Sequence, residues 1–277
     1  MGVPAWIAVN ALESASRVDG QPLSGGDPNI WSASLLETAF PASQLYDWRP
    51  GTVARFTSLA ERALVAEFAA SQGFDTIWLA NHNLPSDATL KLMTSATGVV
   101  GAWNSQWSAS AAELGEADLV VVLPATVTAK YIALVLTGLG TLADPWEVGE
   151  WGIGTRNALP VSWEFDAAPR GKVRRRVVNR SQYGILEQKA LGLAARSYEG
   201  MIGLGQDDAG IDDIEALATA TSGGVAPFLW INDVAASVGV VATAEGLEAF
   251  EPRLLAPDVY ASLSLRIDGV PRGRGTV

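Results

Sequence analysis

His82 is the only histidine in this 277-residue chain, and there is no cysteine. An imidazole could act as a general base or a metal ligand. A His-based relay or a nitrogen-rich zinc site, however, needs partners that the sequence lacks. The absence of thiols also excludes disulfides, a thiolate nucleophile and CxxC redox chemistry. In Asn81-His82-Asn83 the side chains read as groups that bond the backbone of a turn, with a glycan contact by His82 and Asn83 as the other reading. There are 30 Asp and Glu residues against 19 Lys and Arg. Many carboxylate pairs could be drawn for glycoside hydrolysis, and the sequence singles out none. Asp207, Asp208, Asp212, Asp213 and Glu215 do not have the spacing of an EF-hand loop and read as acids complementing a helix N-terminus. Gly152-Ile153-Gly154 and Gly203-Leu204-Gly205 complete no phosphate-loop pattern and read as turns. No catalytic residue, metal site or cofactor is expected, and the chain is read as a non-enzyme.

Tryptophan is the unusual excess, with ten residues against five tyrosines. An exposed indole can stack on a sugar ring or anchor a protein interface, whereas a buried one fills a core. Trp78 sits in mid-strand and is read as core. Trp103 and Trp107 lie in the polar segment Gly101-Ala102-Trp103-Asn104-Ser105-Gln106-Trp107-Ser108. They are read either as subunit or ligand contacts or as packing back on a sheet. Trp146 and Trp151 flank an expected linker, and domain docking accounts for them. Lys172, Arg174, Arg175, Arg176 and Arg180 form one basic cluster in an acidic chain. It is read as a candidate subunit interface, against the alternatives of a nucleic acid passing through a tube and of a solvated strand edge.

These residues need elements to position them. Only 18% of residues are charged, with 28 Gly and 14 Pro, a composition that favours a turn-rich β protein over a helical bundle. Strands are predicted at Ala63–Phe68, Phe74–Ala80, Thr89–Met93, Leu119–Leu123 (ended by Pro124), Tyr131–Leu136, Val161–Phe165 and Val259–Ile267. A helix over about residues 211–222 follows from Ile211, Ile214, Leu217 and Ala218 on one stripe, with Gly223-Gly224 closing it. The Gly/Pro-punctuated stretch after Leu136 places a domain boundary near Pro145. The net charge of −11 opposes capture by a polyanion, so nucleic acid is not expected. The N-terminus has no basic segment followed by an apolar run, and no stretch of about 18 apolar residues occurs. A soluble protein without a signal peptide or membrane span, made in a cytoplasm, is expected.

The run Phe74-Asp75-Thr76-Ile77-Trp78-Leu79-Ala80-Asn81-His82-Asn83-Leu84 is an alternating strand entering a polar turn. It resembles the "strand, then G/N-H-N-L" signature of the discoidin-like (galactose-binding-like) jelly-roll domain at the front of many tailed-bacteriophage tail-tip proteins. Asn29-Ile30-Trp31, Gln44 to Arg49, Ala63 to Phe68 and Lys130 to Leu136 resemble further strands of that family in its order. Val178 to Ser181 with Gly184, and Ala226 to Trp230, are similar to segments that follow the jelly-roll in phage tail proteins. One departure is Asn81, where the family usually has Gly, so the turn is expected to differ there.

The resemblance implies an all-β chain with a small α insertion. A jelly-roll β-sandwich would occupy residues 1–145. A tail-tube-like β-sandwich or split barrel with the inserted helix would occupy 146–277. It further implies a structural component of a phage virion, of the distal-tail or minor-tail type at the tail tip or baseplate, synthesised in the host cytoplasm. Its partners would be copies of itself in a six-fold or three-fold ring and neighbouring tube, hub and fibre proteins. The alternative is a carbohydrate-binding module, a host-adhesion lectin. It would contact host surface glycan through jelly-roll loops at Trp48, Arg49, His82, Asn83, Trp103 and Trp107.

Overall fold

The computed structural model describes residues 4–30, 32–50, 52–57, 61–85, 87–111, 118–138, 145–159, 172–180, 186–203, 208–234, 238–245, 247 and 262–269. The architecture is all-β with one α-helix among the described residues. Two compact units are present, Val9–Arg156 and Met1–Ala8 with Asn157–Val277. Strands are numbered along the chain.

The Val9–Arg156 unit is a curled, jelly-roll-type sheet. It contains β2 (Arg17–Ser24), β3 (Asp27–Pro28), β4 (Ala54–Arg55), β5 (Arg62–His82), β6 (Thr89–Ser95), β7 (Asn104–Ser110), β8 (Asp118–Thr137) and β9 (Glu147–Gly154). The order is β3-β2-β5-β8-β6-β7, and β9 pairs with both β5 and β4. The two long strands curl the sheet. The lower half of β5 pairs with residues 131–136 of β8 and with β2, whereas its upper half pairs with residues 118–122 of β8 and with β9. Between the halves the register shifts at Glu67/Gln72 and again at Phe74/Thr76, and such bulges bend and twist a strand. Side chains then alternate. Leu64, Ala66, Ile77, Leu79, Leu119, Val121, Leu134 and Leu136 enter the inner core with Phe56, Trp146 and Trp151. Ala63, Val65, Met93, Ala133 and Val135 form a second apolar cluster, closed by Trp103 and Tyr131.

Four expectations differ from this structure. The segments Ala63–Phe68 and Phe74–Ala80 are one bent strand, and so are Leu119–Leu123 and Tyr131–Leu136. Pro124 does not end β8. It lies where the β5–β8 ladder jumps from Val122 to Val127, so its missing N–H costs no pairing. The unit closes at Arg156 rather than near Pro145, because β9 continues the sheet beyond Pro145. Trp146 and Trp151 belong to the inner core, fully buried, with Trp146 stacked on Phe56 at 4.7 Å.

The other unit is a sheet of β1 (Ala5–Ile7), β10 (Asn157–Ala158), β11 (Lys172–Arg180), β12 (Leu186–Gly203), β13 (Phe228–Asp233), β14 (Val238–Glu245) and β15 (Ser262–Gly269), in the order β10-β1-β13-β14-β15-β12-β11. Helix α1 (Asp208–Ala220) lies between β12 and β13. It buries Ile214 and Leu217 with Trp6, Phe228, Trp230 and Ile267. Its end is set as expected by glycines. Ser222, Gly223 and Gly224 take positive φ, and the Gly223 N–H bonds the Ala218 carbonyl. The predicted strand at Val161–Phe165 lies outside the described residues.

Candidate functional site

On β5 the alternation that sends Ile77 and Leu79 into the inner core turns Trp78 to the opposite face, opposite Gly152 of β9 in the register. A Cβ at position 152 would collide with the Trp78 ring, so glycine is what lets the indole lie across the neighbouring strand. Trp78 is buried, as its place in mid-strand predicts. Trp48 stacks on it, with ring centroids 5.6 Å apart and planes 27° from parallel. The layering is therefore Gly152, Trp78, Trp48.

The loop carrying Trp48 is held from several sides. Trp48 adopts φ 58°, a left-handed conformation that is costly for a bulky residue. Its Nε1 donates to Glu13 Oε1 at 2.6 Å. The Asp47 carboxylate accepts from the Arg49 N–H at 2.9 Å and from Thr52 Oγ1 at 3.0 Å, and the Thr52 N–H bonds the Arg49 carbonyl at 2.8 Å. Asn81 Nδ2 donates to the Pro50 carbonyl. A Cβ at Gly149 would strike that same Pro50 oxygen, so the loop packs directly on β9 backbone. Trp48 remains partly exposed, and Arg49 is exposed.

Beneath the loop lies a buried carboxyl. Glu150, with no exposed surface, accepts a hydrogen bond from Asn10 Nδ2 at 3.0 Å through Oε1, while its buried Oε2 has no partner. Burial pushes this carboxyl well above the ordinary glutamate range, and the charges of Asp47 and Glu13 add to the rise. The Asn10 amide and the Trp48 backbone N–H offset part of it. The proton is thereby favoured on Glu150. Three acids near one loop are the kind of charge a hard cation seeks. Among the described residues, however, no group of three or more His, Asp or Glu is arranged to hold a metal.

The remaining sequence candidates are dispersed. His82 Nδ1 accepts from the Leu84 N–H at 3.3 Å, the turn-bonding role read from its neighbours. Asn83 is consumed as a clamp, donating to the Pro145 carbonyl at 2.9 Å and accepting from the Glu147 N–H at 2.7 Å. Asn81 takes φ 52°, the conformation that a glycine adopts freely and asparagine tolerates. The expected departure in turn geometry is thus not required. Trp103 is buried over Val65 and Val135, which leaves it no face for a ligand. Trp107 packs partly buried against the inner core. From Asn104 onward the polar stretch is the strand β7 rather than a loop, with Trp103 just before it. A bulge opposite Leu92 and Met93 sends the two indoles to different faces. Lys172, Arg174, Arg175, Arg176 and Arg180 all fall on β11, at one end of its sheet, and their side chains lie outside what is described. The structure thus keeps Trp48 and Arg49 together and adds three residues that no motif signalled. These are Glu13, Gly152 and Glu150.

No protein-family model and no curated protein matches the chain. Solved structures with a similar arrangement include CpGH89CBM32-6 from Clostridium perfringens. That match has 13% identity and a TM-score of 0.38, over 52% of this chain and 98% of that one. Chitosan-binding module 1 from a Paenibacillus sp. IK-5 chitosanase/glucanase matches at 13% identity and a TM-score of 0.36, over 54% and 98%. A Ruminococcus gnavus GH29 fucosidase bound to fucose matches at 14% identity and a TM-score of 0.40, over 54% of this chain but only 27% of its own length. Likeness at this distance carries no functional argument.

Proposed function

We propose that this protein is a non-enzymatic carbohydrate-binding protein whose Val9–Arg156 unit takes a saccharide at the Trp48 loop. The observation that carries the reading is the stacked indole pair. Trp48 rests one face on Trp78 and its Nε1 on Glu13, and it still keeps part of its surface in solvent beside the exposed Arg49. A rigid, partly open indole offers a pyranose ring an apolar platform at little entropic cost. The left-handed backbone at Trp48 fits this role, since strained residues persist where their surroundings fix them for a task.

Binding to a panel of immobilised mono- and oligosaccharides tests the proposal. Trp48→Ala should lower affinity for the bound sugar at least about tenfold, corresponding to about 1.4 kcal/mol. Trp48→Phe, which keeps a ring but loses the bond to Glu13, should retain part of it. Unchanged binding in Trp48→Ala, with an unchanged melting temperature, would overturn the assignment. In the phage setting that the sequence segments resemble, such a module would be the host-adhesion part of a ring-forming tail-tip protein. Electron micrographs of the purified chain would show rings of uniform diameter in that case and separate particles otherwise.

A further inference from the structure

Building on the saccharide reading of the Trp48 loop, we infer that its ligand is an acidic sugar, a pyranose bearing a carboxylate, and that Arg49 selects it. Around the platform the side chains are committed inward. Glu13 Oε1 holds the indole, Asp47 holds the Arg49 N–H and the Thr52 hydroxyl, and the Thr52 N–H holds the Arg49 carbonyl. Asn81 and Asn83 bond the Pro50 and Pro145 carbonyls, and His82 accepts from the Leu84 N–H. Arg49 is different. It is exposed, its backbone is fixed at both N–H and carbonyl, and its guanidinium has no partner among the described residues.

A guanidinium has five donors in a planar fork and no acceptor, so its ligand must bring acceptors. A neutral sugar hydroxyl uses one such donor at a time. A carboxylate takes two in parallel with charge assistance, which roughly doubles the strength of each bond. A partly open indole at Trp48 and an exposed fork on the next residue therefore suit a ring whose apolar face stacks while its carboxylate projects sideways. A uronate within a polysaccharide and a terminal sialic acid share that chemistry. Glu13 and Asp47 place negative charge nearby, so the preference should be moderate and should weaken with added salt.

Isothermal titration of the full chain with oligogalacturonate, its neutral oligogalactose counterpart, sialyllactose and lactose separates the cases. The expected result is an acidic ligand bound about tenfold or more tightly than its neutral counterpart. Uronate and sialic acid sources are distinguished by which acidic ligand binds. Arg49→Gln should collapse the acidic-to-neutral ratio to about one, and Arg49→Lys, which lacks the fork, should recover only part of it. Equal binding of acidic and neutral sugars, or a preference that survives Arg49→Gln, would overturn the inference and leave the carbohydrate reading standing. Absence of binding to every sugar would overturn both.

Discussion

Glu150 is the residue whose chemistry departs furthest from what its type suggests. A carboxyl with no exposed surface and one unpartnered oxygen holds its proton more tightly in the folded chain than in the unfolded one. The unfolded chain releases this proton near the usual glutamate value of about 4.3, whereas the folded chain keeps it to higher pH. Stability is therefore fully present below the ordinary glutamate range and falls as pH climbs from there through the raised folded value. Glu150→Gln cannot ionise and should remove that decline. Thermal denaturation at pH 5 and pH 8 should show the variant gaining most over the parent at pH 8. An equal difference at both pH values would mean that another group sets the slope. Sequence alone could not reveal this, because Glu150 reads as one acid among 30.

At the level of elements, the pairing of β5 with β9 decides whether a binding platform exists. Trp78 and Gly152 are register partners, and the indole occupies the space that a side chain at 152 would need. Gly152→Ala should therefore displace Trp78, and with it the Trp48 stacked above. The expected cost is about 1–3 kcal/mol, the usual penalty of overpacking a tight site. Urea denaturation checks the stability. Sugar binding should fall in the same variant although Gly152 touches no ligand. The strands themselves were legible from alternation, as at Phe74–Ala80 and Thr89–Met93, and so was the helix, found at Asp208–Ala220. Their partners were not. Gly152-Ile153-Gly154 reads as a turn in sequence, yet it forms the end of a buried strand.

For the whole molecule, the question is which span of chain forms each compact unit. A fragment ending at residue 145 would lack β9, and with it Val148, Trp151 and Ile153, as well as Trp146 just before that strand, all in the inner core. Loss of a buried tryptophan alone typically costs about 3–5 kcal/mol, so that fragment should not give a cooperative unfolding transition. The span Val9–Arg156 should fold and keep the sugar affinity of the full chain. Circular dichroism melts of the two fragments decide between the divisions. By itself the sequence determined the all-β class, the periods of its strands, the glycine-closed helix and the want of thiol or multi-histidine chemistry. Those depend on residue type and near-neighbour spacing, which the chain carries locally. Only the tertiary structure decided that Trp146 and Trp151 are core, that Trp103 is covered, and that Trp48 stacks on the Trp78 ring that lies against Gly152. Burial and free valence are set by which distant strands meet. A bulge of one residue, as in β7, reverses the face that every later side chain presents.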